Sequence, residues 1–265
     1  MSESLLLSKT HGAAAVEKLL CYGGQFLHLI PADCALTVPC GINRGRRWLR
    51  GAANAPEWLG LYELRKQRAL RRLVSPGMTV CDIGANAGFY TLGLARLVGE
   101  RGRVIAFEPL PRNIQKIRYH LSLNRVTNVT LNDCALSDFT GTLRFSEGES
   151  DFTGRISQET GDLEVHSVRL DQFLKEKSLA DPALLKIDVE GAENRVLEGA
   201  LELLRRAHPV LVLALHGTEQ KIGCSKILRA FGYRVLGLGG KSITDSAALP
   251  NEVIAVYSHS DAERL

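Results

Sequence analysis

The chain has 265 residues, 45% of them hydrophobic and 23% charged, the balance of a soluble globular protein with a sizeable core. Its net charge of +4 is too small to demand a nucleic-acid partner. No stretch approaches the ~18 apolar residues of a membrane span and no signal-like run is present, so the expected location is the cytoplasm.

Six cysteines (Cys21, Cys34, Cys40, Cys81, Cys134, Cys224) show no CxxC and no zinc-like pairing with histidine, so reduced thiols are expected. Residues 1–60 form an N-terminal extension, with a helix expected over Ala13–Leu20 and short strands at Ala35–Val38 and Trp48-Leu49 around the Gly41–Gly45 turn. Nine Lys/Arg residues lie between Gly41 and Pro76 (Arg44, Arg46, Arg47, Arg50, Arg65, Lys66, Arg68, Arg71, Arg72), either as a solvated face or as a surface attracting an anionic acceptor. Glu57–Leu73 reads as one helix, ended by Ser75-Pro76-Gly77.

Residues 61–265 read as one α/β domain, because strand and helix then alternate. Thr79–Ile83 is a buried strand, Phe89–Val98 a helix, Val104–Phe107 a strand, Asn113–Leu123 a helix and Val129–Leu131 a strand. Gly141–Phe173 breaks the rhythm, with strands at Thr142–Phe145 and Glu164–Val168 and no helix between them, and reads as an inserted hairpin. Leu184–Asp188 resumes the pattern, followed by a helix over Ala192–Arg206, the apolar strand Val210–Leu215, a helix over Lys221–Phe231 and strands at Arg234–Leu236 and Val253–Tyr257. The expected fold is a doubly wound, Rossmann-like α/β sheet, mostly parallel with a final antiparallel strand.

Ligands of such sheets bind outside the carboxyl ends of the strands. The residues delivered there are Asp82 with a glycine loop, Glu108, Asp133, Asp188 with Glu190, and His216. This acidic set repels phosphates and suits a cationic ligand carrying hydroxyls. Gly84 and Gly88 let the backbone turn tightly, but Asn86 stands where a dinucleotide fingerprint needs its second glycine, which argues against an NAD-dependent oxidoreductase. Glu108, 20 residues after Gly88, has two acceptor oxygens for the hydroxyls of a ribose.

The strings Cys81-Asp82-Ile83-Gly84-Ala85-Asn86-Ala87-Gly88-Phe89-Tyr90-Thr91, Phe107-Glu108-Pro109, Ala135-Leu136-Ser137-Asp138 and Lys186-Ile187-Asp188-Val189-Glu190-Gly191-Ala192-Glu193 resemble the FkbM family of methyltransferases. The resemblance runs from about Tyr62 to His216. It implies a class I methyltransferase fold, S-adenosylmethionine as cofactor, and O-methylation of a natural product, sugar or glycan precursor. It further implies that the Gly84–Gly88 loop, with Asn86 and the following Phe89 and Tyr90, holds the methionine end of the cofactor with Asp82 beside its ammonium. Glu108 and Pro109 would face the ribose, Asp133 and Cys134 the adenine, and Glu63 would close over the cofactor or remain a helix-surface acid. The sequence departs from the family at Val212–Leu215, which is wholly apolar where the family often carries a Glu or Ser.

Asp188 is the leading candidate for orienting or deprotonating a hydroxyl acceptor, with Glu190 beside it; the pair could also hold a divalent metal, although nothing in the sequence indicates one. Lys186 shares a strand side with Asp188 and is either paired with an acid or exposed at the strand end. His216 is an alternative base or an ordinary loop histidine, and the other six histidines show no ligand spacing. The insertion and the N-terminal region are expected to shape the acceptor pocket. The rival readings are a nucleic-acid methyltransferase, disfavoured by the lack of an Asn/Asp-Pro-Pro-aromatic motif, and a non-catalytic cofactor-binding module, disfavoured by the intact Asp188 and Glu190. A small-molecule or glycosidic hydroxyl acceptor is the expected partner.

Overall fold

The computed structural model describes residues 30–147, 154–156, 163–245 and 249–257. The helix expected over Ala13–Leu20, and Gly148 and Gly161 of the inserted stretch, lie outside the described residues.

Seven strands form the central sheet: β3 (Thr79–Ile83), β4 (Arg103–Phe107), β5 (Val129–Asn132), β10 (Leu184–Ile187), β11 (Val210–Ala214), β12 (Arg234–Gly237) and β13 (Glu252–Val256). Their order is β12-β13-β11-β10-β3-β4-β5, and β13 pairs antiparallel with both its neighbours. The chain steps outward from β3 through β4 to β5, then returns to the other side of β3 to lay down β10 and β11. That reversal puts a topological switch point between the carboxyl ends of β3 and β10, where the crossovers diverge and leave a crevice.

Strand residues alternate between two cores. On one face Cys81, Ile83, Leu185, Ile187, Leu211 and Leu213 pack with helices α5 (Leu170–Glu176), α6 (Glu193–Glu198), α7 (Leu201–Arg206) and α8 (Thr218–Ala230). On the other, Val80, Val104, Leu184, Val212 and Ile254 pack with α2 (Leu64–Leu73) and α3 (Phe89–Val98). Helix α4 (Pro111–Leu123) contributes Ile117 to a smaller cluster with Ala85 and Ala106. No described helix is long and apolar enough to cross a membrane.

Ahead of the sheet, where short strands are expected at Ala35–Val38 and Trp48-Leu49, β1 (Ala35–Thr37) and β2 (Arg47–Leu49) pair antiparallel. A second sheet, ordered β6-β9-β7-β8, is built from β6 (Ala135–Leu136), β7 (Gly141–Glu147), β8 (Gly154–Ile156) and β9 (Leu163–Val168).

Two expected helices are each broken in two. The one read over Glu57–Leu73 is α1 (Ala55–Leu59) and α2, because Gly60 takes φ +75° and its ideal Cβ would meet the Cys40 carbonyl oxygen at 2.0 Å. Gln67 seals this break, donating to the Gly60 and Tyr62 carbonyls while accepting from the Ile42 N–H. The helix read over Ala192–Arg206 is interrupted at Gly199-Ala200, where both carboxylate oxygens of Asp171 accept the first free N–H groups of α7, from Glu202 and Leu203.

Candidate active site

A cavity of about 490 Å³ opens at the switch point, within the range of small-molecule sites. One wall is the loop after β3, from Ile83 to Ala87. Gly84 has φ +75°, and an ideal Cβ there would meet the Asp188 carbonyl oxygen at 1.9 Å, so only glycine lets the ends of β3 and β10 approach this closely. Glu63, Asn86 and Glu190 also line the cavity, and each is a non-glycine residue with positive φ (44°, 50° and 55°). Held left-handed conformations of this kind concentrate at functional sites.

Glu108 leaves the end of β4 and is 4% exposed. Its Oε2 accepts the Asn86 N–H at 2.8 Å, and its Oε1 accepts from the Leu110 N–H and the Asn113 amide, both at 3.1 Å. Burial raises its proton affinity, and these hydrogen bonds oppose the rise. The Asn113 Oδ1 is buried without a protein partner beside this carboxylate. A vicinal diol brings two O–H donors, and the oxygens of Glu108 and Asn113 are of the acceptor type such a group needs.

The opposite wall is more strongly charged. Lys66, 1% exposed, sets its Nζ 2.7 Å from Glu63 Oε2, 2.9 Å from Glu252 Oε1 and 3.4 Å from Asp188 Oδ2. Burial works against its charge, but Asp188, Glu63 and Glu252 outweigh it and hold the amine above its ordinary range. Lys186 is buried on β10 with Nζ 3.0 Å from Asp82 Oδ1, and donates to the Gly84 carbonyl at 2.8 Å. Asp188 is held below the usual carboxylate range: burial opposes its charge, and Lys186, Lys66 and His216 prevail. Farther along the wall, burial, with Glu63 adding to it, pushes Glu57 up to about 7.

His216 follows β11 and reaches into this wall. Its Nδ1 lies 2.8 Å from Oε1 of the fully buried Glu193, and its Nε2 lies 3.5 Å from Glu190 Oε2 and 3.8 Å from Asp188 Oδ1. The Glu193 hydrogen bond raises its pKa, burial opposes this, and Glu190, Glu193 and Asp188 add to the rise.

The cavity thus brings together Glu63, Gly84, Asn86, Phe89, Tyr90, Glu108, Pro109, Cys134, Lys186, Asp188, Glu190 and His216 from the sequence reading. Three expected cofactor contacts stand apart. Asp82 does not line it: its carboxylate is 0% exposed, spent on Lys186 and on the Thr91 hydroxyl, which donates at 2.6 Å. Gly88 lies behind the loop, packed toward Ile117. Asp133 is exposed and borders a second, shallower pocket, while its neighbour Cys134 turns inward. The N-terminal region contributes Trp48, Ala53 and Glu57 to the cavity; no described residue of 141–173 does.

Sequence reasoning gave no role to Asn113, Glu193 or Glu252, and placed Lys66 among surface charges. Two of them left a signal: Glu193 closes the Lys186–Glu193 string, and Lys66, Ala69, Leu70 and Leu73 stand at i, i+3, i+4 and i+7, the buried stripe of α2.

The sequence matches the methyltransferase FkbM domain over residues 82–235. Among similar proteins are "Methyltransferase 1" of Beauveria bassiana, 30% identical over 45% of this chain and 57% of that protein, and the 31-O-demethyl-FK506 methyltransferase FkbM of Streptomyces tacrolimicus, 28% identical over 61% and 74%. The 2-O-methyltransferase NoeI of Sinorhizobium fredii is 28% identical over 51% of this chain and 62% of its own length. The chain therefore spans less than two thirds of the Beauveria and Sinorhizobium relatives. With the domain match covering more than half of its residues, and the glycine loop, Glu108 and Asp188 all inside it, the chain belongs to the FkbM family of S-adenosylmethionine-dependent methyltransferases.

Proposed function

We propose that this protein transfers the methyl group of S-adenosylmethionine to a hydroxyl of a small molecule, sugar or glycan precursor. The observation that carries the reading is one cavity with a diol-accepting corner at Glu108 and Asn113 on one wall and a held carboxylate, Asp188, on the other. Two relatives are named for O-methylation, which supports a hydroxyl acceptor.

The cofactor supplies an activated sulfonium methyl, so transfer is an in-line displacement that needs alignment more than acid catalysis. The residues fit it: Glu108 and the unpartnered Asn113 Oδ1 offer acceptors for hydroxyls, and the acidic walls favour a cationic ligand. Positioning of this kind lowers a barrier by roughly 7–11 kcal/mol. With the cofactor held there, the acceptor oxygen would take the methyl carbon as its bond to sulfur breaks and S-adenosylhomocysteine leaves, and Asp188, which its cationic neighbours keep ionised, would receive the hydroxyl proton. A placed base of this kind contributes about 10²–10⁴-fold.

Calorimetric titration with S-adenosylmethionine tests the reading. Binding to the wild type, weakened at least ~10-fold in Glu108→Ala, is expected from loss of a charged hydrogen-bond acceptor. No binding to the folded wild type would overturn it. For the acceptor step, an Asp188→Asn protein that binds cofactor and turns over at the wild-type rate would remove Asp188 as base.

A further inference from the structure

We infer that Asp188, Glu190 and His216 form a binding site for a divalent cation at the acceptor end of the cavity. The inference takes its purpose from the proposed methyl transfer but its geometry from the side chains alone.

The three residues come from two strand ends, and their ligand atoms all lie within 4.8 Å of one another. The separations of His216 Nε2 from Glu190 Oε2 and Asp188 Oδ1, 3.5 and 3.8 Å, are long for charge-assisted hydrogen bonds. They match ligands that share an ion: metal–ligand bonds of about 2.0–2.2 Å leave neighbouring donor atoms about 3–4 Å apart.

Two features outside the triad support a cation. Glu193 is 0% exposed and touches Nδ1 of His216 at 2.8 Å. An Nδ1–H donated to that carboxylate leaves the Nε2 lone pair facing Asp188 and Glu190, the arrangement by which a second carboxylate orients a metal-binding histidine. The other Glu193 oxygen, Oε2, is buried with no hydrogen-bond partner. The second feature is a shortage of positive charge. Among the described residues, Glu63, Asp188, Glu190, Glu193 and Glu252 converge here against Lys66, His216 when protonated, and Lys186, whose charge also acts on Asp188. Lys186, the next cation along the wall, is committed to Asp82. Of these carboxylates only Glu193 is fully buried; Asp188 and Glu190 are 18% and 34% exposed, and a divalent ion between them would take over the charge balance that water supplies in its absence.

One nitrogen and two carboxylate ligands suit an ion of intermediate hardness, such as Mn²⁺ or Zn²⁺, rather than Ca²⁺. All three ligands are partly open to the cavity, which leaves coordination positions for water or for an acceptor hydroxyl. A hydroxyl bound to such an ion would lose its proton more readily.

The test is a titration of chelator-treated, desalted full chain with Mn²⁺, following free Mn²⁺ by electron paramagnetic resonance. One Mn²⁺ per chain is expected, bound at least ~10-fold more weakly in Glu190→Gln and in His216→Ala and unchanged in the surface variant Glu164→Gln. If His216→Ala does not fold, Glu190→Gln decides alone. No saturable binding, or equal binding in Glu190→Gln and the wild type, would overturn the inference. Parallel titrations with S-adenosylmethionine separate the two proposals: cofactor binding without Mn²⁺ binding removes the metal site only, and Mn²⁺ binding without cofactor binding removes the methyltransfer reading only.

Discussion

Lys186 and Asp82 stand directly opposite each other on the parallel strands β10 and β3, and their side chains close a 3.0 Å ion pair beneath the glycine loop. The pair lies on the side of the sheet that otherwise holds Val80, Leu184 and Val212, so it is a charged plug in an apolar layer. Its value is positional: the same ammonium that neutralises Asp82 holds the Gly84 carbonyl, so the loop and the two strand ends share one anchor. Lys186→Met should destabilise the fold by about 3–5 kcal/mol in urea denaturation, because it leaves Asp82 buried and unpaired. The double variant with Asp82→Asn should recover part of that loss, whereas additive effects would show that the two side chains are not coupled.

His120 ties the same loop to the N-terminal segment. Its Nδ1 lies 2.9 Å from the Ala87 carbonyl, its Nε2 accepts the Leu49 N–H at 3.1 Å, and its ring stacks on Trp48. Accepting at Nε2 requires the neutral ring, and burial pushes the pKa down to about 4. The unfolded chain therefore binds this proton first as pH falls. Its contribution is complete above about 6.5 and is lost as pH drops from there toward about 4. Over that window the loss should reach about 3 kcal/mol, read from urea midpoints at stepped pH. His120→Gln should flatten this part of the profile, and an unchanged profile would reassign the acid sensitivity to other groups.

Asp171 offers a contrast, since its work is done far from the cavity lining. Both of its oxygens receive N–H groups from the first turn of α7. Asp171→Ala should cost about 1–2 kcal/mol of stability, the usual price of a lost N-cap acceptor, with S-adenosylmethionine affinity unchanged. A large loss of cofactor affinity would mean that the α6–α7 break is coupled to the site.

The central sheet was legible because its strands are short apolar runs ending in polar residues, and because strand and helix alternate from Thr79 to Asn132 and again from Leu184 to Gly237. The helix breaks were not legible, because they depend on distant partners: Gly60 turns against Cys40, and Gly199-Ala200 gives way to a cap supplied by Asp171. In the site, the residues at strand ends could be listed from the sequence, since topology alone carries them to one edge. Which of them face the cavity could not. Asp82 and Asp133 both stand at strand termini, yet the first is consumed by Lys186 and the second points to solvent. Glu252 has no local pattern that separates it from a surface acid, and Glu193, although it closes the Lys186–Glu193 string, carries no sign of its partner; only tertiary packing brings them against Lys66 and His216.

Lys66 is the position where charge and periodicity conflict, and it yields the strongest single-residue prediction about the site. Counted by charge, it joins a run of exposed arginines; counted by helix phase, it falls with Ala69, Leu70 and Leu73 on the buried stripe of α2. The structure follows the phase and satisfies the charge with carboxylates from three places: Glu63 before α2, Asp188 after β10 and Glu252 at the start of β13. Lys66→Met keeps the stem volume and removes the ammonium. The three carboxylates are 18–30% exposed, so water recovers part of the loss and the expected destabilisation is about 3 kcal/mol, the low end for a broken buried pair. Their mutual repulsion should also move Glu63 and Asp188 apart, weakening S-adenosylmethionine binding measured by calorimetry. Adding Glu252→Gln removes one negative charge and should restore part of both losses. A Lys66→Met protein with wild-type stability and wild-type cofactor affinity would show that the three acids hold their places without it.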